Sequence, residues 1–263
     1  MKRLWSSLRS RPVVFASFWI VALYAAVALY GEVDYRWHRW HDTTPVYQQQ
    51  DIARQYQPPS AAYWMGTDAL GRDVFRRLVQ GTRIAFQVGV ITSCIAIPIG
   101  VLLGLLAGYY GGRVDDAIVW LYSTFAAIPG LLFILAIAMV VGKGMAGVFL
   151  GIGLTTWVGI CRLVRAETMK HRERAYVQAA RVLGYSAPRI LFRHILPNIF
   201  HIVIVTFTLR FPASVGTEVF MSFLGLGVQG EPSWGIMLNN ARARLWQGIW
   251  WEMTFVTAAV FLL

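Results

Sequence analysis

Charge is what this sequence has least of. Asp, Glu, Lys and Arg together make up 14% of its 263 residues, against about 25% in an ordinary soluble domain. Acidic residues are scarcer still, 13 against 24 Lys and Arg. Cysteine occurs twice, at Cys94 and Cys161, which excludes a disulfide framework and a cysteine-based metal centre. Both are read as small apolar core residues. The histidines are scattered and never take the H-E-x-x-H spacing of a metal site. No G-x-x-x-x-G-K-[ST] phosphate cradle occurs, because Gly142-Lys143 is followed by Gly144. The stretch 225-GLGVQG-230 fits G-x-G-x-x-G, but that fingerprint needs a strand before it and a helix after it. Here an apolar run precedes it and 231-EPSW-234 follows. Neither a nucleotide-binding domain nor a catalytic triad can be assembled.

What is abundant is uninterrupted apolar sequence. Residues 12–31, 84–112, 117–142 and 144–161 hold no Asp, Glu, Lys or Arg. A helix needs about 20 apolar residues to cross the hydrocarbon core, so four spans follow from charge spacing alone. A fifth is read at 198–222, interrupted by Arg210 and Glu218. A sixth begins near Trp250 and is cut short at Leu263, too few residues to cross at about 1.5 Å each, so the chain is expected to lack its true C-terminus. The expected fold class is all-α, a polytopic membrane helical bundle of six transmembrane helices with the last truncated. The opening run is too long for a signal-peptide core and lacks a small-residue cleavage site.

Charge distribution sets the orientation. Lys2, Arg3, Arg9 and Arg11 precede the first span; Arg162, Arg165, Lys170, Arg172, Arg174, Arg181, Arg189 and Arg193 fill the loop after the fourth. Those twelve are half of all Lys and Arg, and basic residues mark the cytoplasmic side. Both groups fall inside by parity. The basic balance is thus explained by membrane topology, with no nucleic acid called for. The outer segment 31–83 is nearly neutral and rich in Trp and Tyr, as suits a membrane surface, although Arg72, Arg76, Arg77 and Arg83 depart from the charge rule. The chain divides into 1–83, holding the cytoplasmic start, the first span and the outer segment, and 84–263, holding the remaining spans.

The loop 173-ERAYVQAARVLGYSAPRILFRHILPNI-199 predicts two short helices. Gly184 can end the first by taking positive φ. Ser186 can cap the second, with Pro188 in its first turn. Pro197 is expected to close the second by Asn198 and to start the fifth span. Ala175, Ala179 and Ala180 leave a face without bulk, with Tyr176, Val182 and Leu183 beside it. Such an element can lie on anionic lipid or receive a cytoplasmic partner. Arg210 and Glu218 lie within a span, where ionisable groups face a cavity or a partner. The stretch 65-MGTDALGRDVFRRLVQGTRIAF-86 reads as a polar turn followed by a helix, which Thr67 or Asp68 can cap.

At these residues the sequence resembles a known family. Gln178-Ala179-Ala180, three residues, Gly184, and Leu196-Pro197 match the spacing of the Glu-Ala-Ala loop of ABC importer permeases. Gln178 stands in place of the usual Glu, which removes its charge, and His194 in place of the usual Ile. The stretch 65–86 resembles the Gly-Thr-Asp-x-x-Gly-Arg-Asp signature of the dipeptide/oligopeptide branch. The stretch 222-SFLGLGVQGEPSWG-235 resembles its outer loop, and all three signatures occur in the family's order over 65–250. The resemblance implies a permease subunit of a binding-protein-dependent importer in the bacterial inner membrane. It implies coupling to ATPase subunits through Tyr176, Gln178, Ala179, Ala180, Leu183, Gly184, Leu196 and Pro197. It leaves Arg210, Glu218, Asp68, Arg72, Asp73 and Trp234 as candidates for the translocation path or outer gate. The implied partners are a second homologous permease, two cytoplasmic ATPase subunits that bind ATP and Mg, an extracytoplasmic substrate-binding protein, and membrane lipid. No cofactor is expected in this chain. An ion-coupled secondary transporter is the rival reading, but the inverted repeats that would favour it do not show. An intramembrane enzyme would need paired catalytic groups, and Arg210 with Glu218 make no such pair.

Overall fold

A computed structural model describes residues 11–263; the basic start carrying Lys2, Arg3 and Arg9 lies outside the described residues. The described chain is helical, with α1 at Pro12–Trp40, α2 at Val74–Tyr110, α3 at Gly112–Ala127 and α4 at Gly130–Val141. Then come α5 at Met145–Thr155, α6 at Trp157–Arg172, α7 at Ala175–Val182 and α8 at Ala187–Ile190. A π turn at Leu191–Ile195 leads into α9 at Leu196–Phe223, followed by α10 at Trp234–Arg242 and α11 at Trp251–Leu262. Among the described residues, four helical stretches are long and apolar enough to cross a membrane: 12–40, 74–110, 145–172 and 187–223. The pair α3 and α4 makes a fifth if counted as one bent span, and α11 is a shorter apolar helix.

The third expected span is not straight. Its halves meet at 89°, because Pro129 has no N–H to give and pushes the residue before it away from helix. Ile128 accordingly lies at φ −85°, ψ 131°. The second span starts at Val74, ten residues earlier than the expected 84, so its arginines belong to the helix.

The contacts separate two compact units, residues up to Gln87 with Glu218–Leu263, and Val88–Thr217. In the first unit, tryptophans tie the outer segment down: Trp251 Nε1 donates to the Thr67 carbonyl at 3.1 Å and Trp234 Nε1 to the Leu78 carbonyl at 3.1 Å. Tyr24 on α1 donates to the Ala259 carbonyl on α11 at 2.7 Å. Arg83, 3% exposed, joins Glu32 at 3.5 Å and Glu231 at 3.2 Å and lies over the Tyr35 ring. That pairing explains how Arg83, against the charge rule, is held.

In the second unit the core gathers Leu105, Trp157, Ile160, Cys161, Val164, Val177, Ala180, Ile190, Ile195 and Ile199. Of the two cysteines, only Cys161 is buried; Cys94 is exposed. Gly100, Gly104 and Gly108 line one face of α2, four residues apart. A Cβ at each would fall 2.6–2.8 Å from atoms of Ile160, Cys161, Val164 or Thr168 on α6. Small residues at this spacing let helix backbones approach within a membrane. Asp115 on α3 and Arg165 on α6 form a bidentate ion pair in the same unit.

Candidate functional site

The loop between α6 and α9 is built on an inward and an outward face. Val177, fully buried, and Ala180, 4% exposed, are three apart on α7 and enter the core with Ile190 and Leu191. Ala175 and Ala179 are exposed, and the stripe continues into Val182 and Leu183, 89% and 69% exposed. The spacing i, i+4, i+7 puts them on one helix face. The result is an apolar tip with little bulk, standing on a buried base. Adjacent alanines therefore do different work, a distinction the sequence reading did not draw.

The tip is braced from behind. Tyr176 Oη meets His171 Nδ1 at 2.7 Å, and burial pushes the Tyr176 phenol up from its ordinary value. Gln178 Nε2 donates to the Arg172 carbonyl at 3.2 Å, and Arg181 lies over the Tyr109 ring. Gln178 is thus spent on its own backbone. Gly184 ends α7 at φ +75° with open space around it, the left-handed C′ position that glycine occupies without strain. Tyr185 then stacks on His194, with Arg189 over the Tyr185 ring.

Ser186 precedes α8 in extended conformation, but its side chain makes no capping hydrogen bond. Pro197 does not close the second helix, contrary to expectation. The helix runs unbroken from 187 to 223. A proline clashes with the carbonyl four residues back and leaves it without a donor. Here the chain widens to a π turn just before it, with the Leu196 N–H reaching back to the Leu191 carbonyl. Asn198 Nδ2 adds a hydrogen bond to the His194 carbonyl at 2.6 Å. Leu196 is half-buried against the core and Pro197 is exposed. Both lie beyond the π turn along the chain, separate in sequence from the Ala179–Gly184 tip.

The outer-gate candidates divide likewise. Arg210 on α9 is half-buried between exposed Leu209 and Ala213 and makes no hydrogen bond or ion pair to another described residue. Glu218, eight residues on, is 1% exposed and accepts from Ser222 Oγ at 2.6 Å, with Ser233 a second partner. Ser222 Oγ also receives the Val228 N–H at 3.1 Å. Glu218 thereby pins the 222–233 loop.

Asp68, Arg72 and Asp73 form the turn before α2. Asp68 Oδ1 accepts the N–H groups of Leu70 and Arg72, and Oδ2 takes Arg72 Nε at 2.7 Å. Thr67 and Asp73 bridge the turn, with Gly71 at φ +69°. Asp73 Oδ1 accepts the Phe75 N–H at 2.9 Å and so caps α2, in place of the expected Thr67 or Asp68. Thr67 instead donates to the Arg54 carbonyl at 2.6 Å. Trp234, 1% exposed, lies against Gly81. Among the described residues there is no group of three or more His, Cys, Asp or Glu able to hold a metal ion.

Comparison with known proteins finds that residues 100–263 match the family described as binding-protein-dependent transport system inner membrane component. The chain is 39% identical over 207 residues to the dipeptide transport system permease protein DppC of Bacillus subtilis (strain 168), covering 78% of this chain and 65% of that relative. It is 41% identical over 194 residues to the glutathione transport system permease protein GsiD of Pectobacterium atrosepticum, covering 73% and 64%. It is 33% identical over 233 residues to the oligopeptide transport system permease protein OppC of Bacillus subtilis, covering 88% and 74%. The chain therefore spans a little under two thirds of the length of the first two relatives.

Proposed function

Because this chain belongs to the family of inner membrane components of binding-protein-dependent transport systems, we propose that it is a multi-pass permease subunit of an ATP-driven ABC importer. It supplies half of the translocation pathway, with residues 84–263 as the permease domain and six spans, α3 with α4 counted as one and α11 as the beginning of the sixth. The second half comes from a homologous permease. ATP and Mg are bound and ATP hydrolysed by two cytoplasmic subunits, and cargo is delivered by an extracytoplasmic binding protein. The cargo is a di- or oligopeptide or a related small solute such as glutathione, the classes carried in the names of its relatives. Family membership favours this reading over an ion-gradient carrier.

The observation that carries the reading is the apolar, low-bulk tip at Ala179, Val182 and Leu183, raised on buried Val177 and Ala180. It is a docking surface for the ATPase. Gly184 sets its angle; Tyr176 and Gln178 brace it. Leu196 and Pro197 pass its movement into α9. A switch of access needs two packings whose balance nucleotide shifts, and α9 carries Arg210, the half-buried cation that faces the path. Asp68, Arg72, Asp73, Glu218 and Trp234 shape the outer gate from behind by fixing its turns.

The test is co-purification of the full complex followed by ATPase and transport assays. Ala179→Asp places a charge on the tip and Gly184→Trp blocks its corner, and each releases the ATPase. Retention of a fully coupled ATPase by both variants would contradict the assignment. Arg210→Met lowers transport with assembly intact; unchanged transport removes Arg210 from the path.

A further inference from the structure

A second feature lies in the first unit, away from the loop at 173–197 in sequence. A polar cavity of about 380 Å³ is lined by Gln48, Gln50, Arg72, Arg77, Glu231 and Asn240, among others. We infer that this cavity binds a single carboxylate, presented by a short peptide or peptide-like solute on the outer face of the membrane.

The argument starts from Arg77. It is 5% exposed, and its guanidinium carries five N–H donors. None makes a hydrogen bond to another described residue; Nε is buried without a partner, and its ion-pair contact is 3.5 Å from Asp68 Oδ2. That carboxylate is already occupied by Arg72 Nε and two backbone N–H groups. Leaving a buried donor unmet is costly, and Arg77 borders a cavity within the size range of small-ligand sites. The exposed amides of Gln48, Gln50 and Asn240 border the same space and make no side-chain hydrogen bond to other described residues. Each brings two further donors beside one acceptor oxygen. With the Arg72 and Arg77 guanidinium groups, which carry donors only, these amides can turn their N–H groups toward a bound anion.

Charge and shape select the anion. Arg72 and Arg77 share Asp68, leaving about one positive charge, which Glu252 on α11 tempers through space without lining the cavity. Glu231 does line it; Arg83 holds that carboxylate at 3.2 Å while also facing Glu32 at 3.5 Å, and burial pushes the Glu231 pKa up from the ordinary glutamate value. A surplus of at most one charge favours a monovalent carboxylate over a phosphate dianion. The planar guanidinium fork of Arg77 matches a carboxylate through two parallel hydrogen bonds. Only the side of the membrane and the peptide as bearer rest on the permease reading; the donor set does not.

The test uses the full chain in lipid nanodiscs without nucleotide, so its outcome is independent of ATPase coupling. Ala-Ala, its C-terminal amide and sodium acetate are titrated by calorimetry. Ala-Ala binds, the amide binds at least tenfold more weakly, and acetate competes with Ala-Ala. Arg77→Met abolishes binding. Since Arg77 is buried and its loss could disturb folding, Gln50→Glu and Asn240→Asp serve as exposed, shape-conserving variants. Each sets a carboxylate against the ligand and weakens Ala-Ala at least fivefold. Equal binding of Ala-Ala and its amide, wild-type binding by both exposed variants, or no binding of any probe overturns the site. Acetate binding that Ala-Ala does not displace overturns the peptide as its bearer.

Discussion

Ala179 and Ala180 are neighbours in sequence, and the same substitution at each has opposite consequences. Ala180→Leu inserts three carbons into the cluster formed with Val177, Ile190 and Leu191. Overpacking of this kind costs about 1–3 kcal/mol. At about 2–4 °C per kcal/mol for a large domain, the thermal midpoint falls by several degrees. Ala179→Leu projects into open surface, so its effect on stability stays within about 0.5 kcal/mol. If the tip is seated against an ATPase, that added bulk is overpacked in the interface instead. A penalty of about 1–3 kcal/mol there, at 1.4 kcal/mol per tenfold, weakens association by roughly 5- to 150-fold. The assay pairs thermal unfolding of each variant in nanodiscs with titration of the ATPase onto it. A stable Ala179→Leu chain that binds the ATPase as tightly as wild type would refute the docking geometry. An Ala180→Leu chain with an unchanged midpoint would refute the assignment of the buried face.

Three further outcomes follow from backbone and packing. Gly71→Ala would place a Cβ 1.8 Å from the Asp51 carbonyl oxygen at φ +69°, where a left-handed conformation alone costs about 1–2 kcal/mol; the 51–57 segment is forced away, and limited proteolysis mapped by mass spectrometry shows new cuts there. At Gly184 the space is open and only φ +75° matters, so Gly184→Asn, which tolerates that region, retains assembly while Gly184→Val loses it; equal assembly would show that the corner carries no conformational demand. Trp234→Phe removes the hydrogen bond to the Leu78 carbonyl, worth about 0.5–1.5 kcal/mol, whereas Trp234→Ala costs about 3–5 kcal/mol through the cavity it leaves. Equal melting of the two variants would show that the ring is not packed as described.

The membrane-crossing helices were legible because charge is excluded from hydrocarbon, so gaps between charges mark them. Their ends were less so. Arg76, Arg77 and Arg83 looked like the flank of a span, yet they lie inside α2. For Arg83 the reason is pairing across long separations, with Glu32 and Glu231, which no local pattern carries; Arg76 and Arg77 meet the nearby Asp73 and Asp68. Proline could be recognised as a disturbance but not its form. Pro129 broke a span at 89°, while Pro197 was absorbed by the π turn before it and Pro212 lies within an uninterrupted α9. The 173–197 loop was placed by its spacing, including the turn at Gly184. Which alanine points inward depends on Val177 and Ile190 meeting in the core, a tertiary fact. The 65–73 stretch read as a polar turn followed by a capped helix; that Asp73 does the capping, and that Asp68 closes the turn around Gly71 beside Asp51 and Arg54, depended on the folded neighbours.

The three glycines of α2 that lie against α6 act as the teeth of a spline. Each notch receives a side chain or carbonyl at a distance that leaves no clearance for a methyl group. Neither sliding nor rolling of one shaft on the other is open without lifting all three teeth at once. Whatever rearrangement this half of the molecule undergoes, α2 and α6 travel through it keyed together, and the give has to come from joints elsewhere, such as the right-angled corner at Pro129.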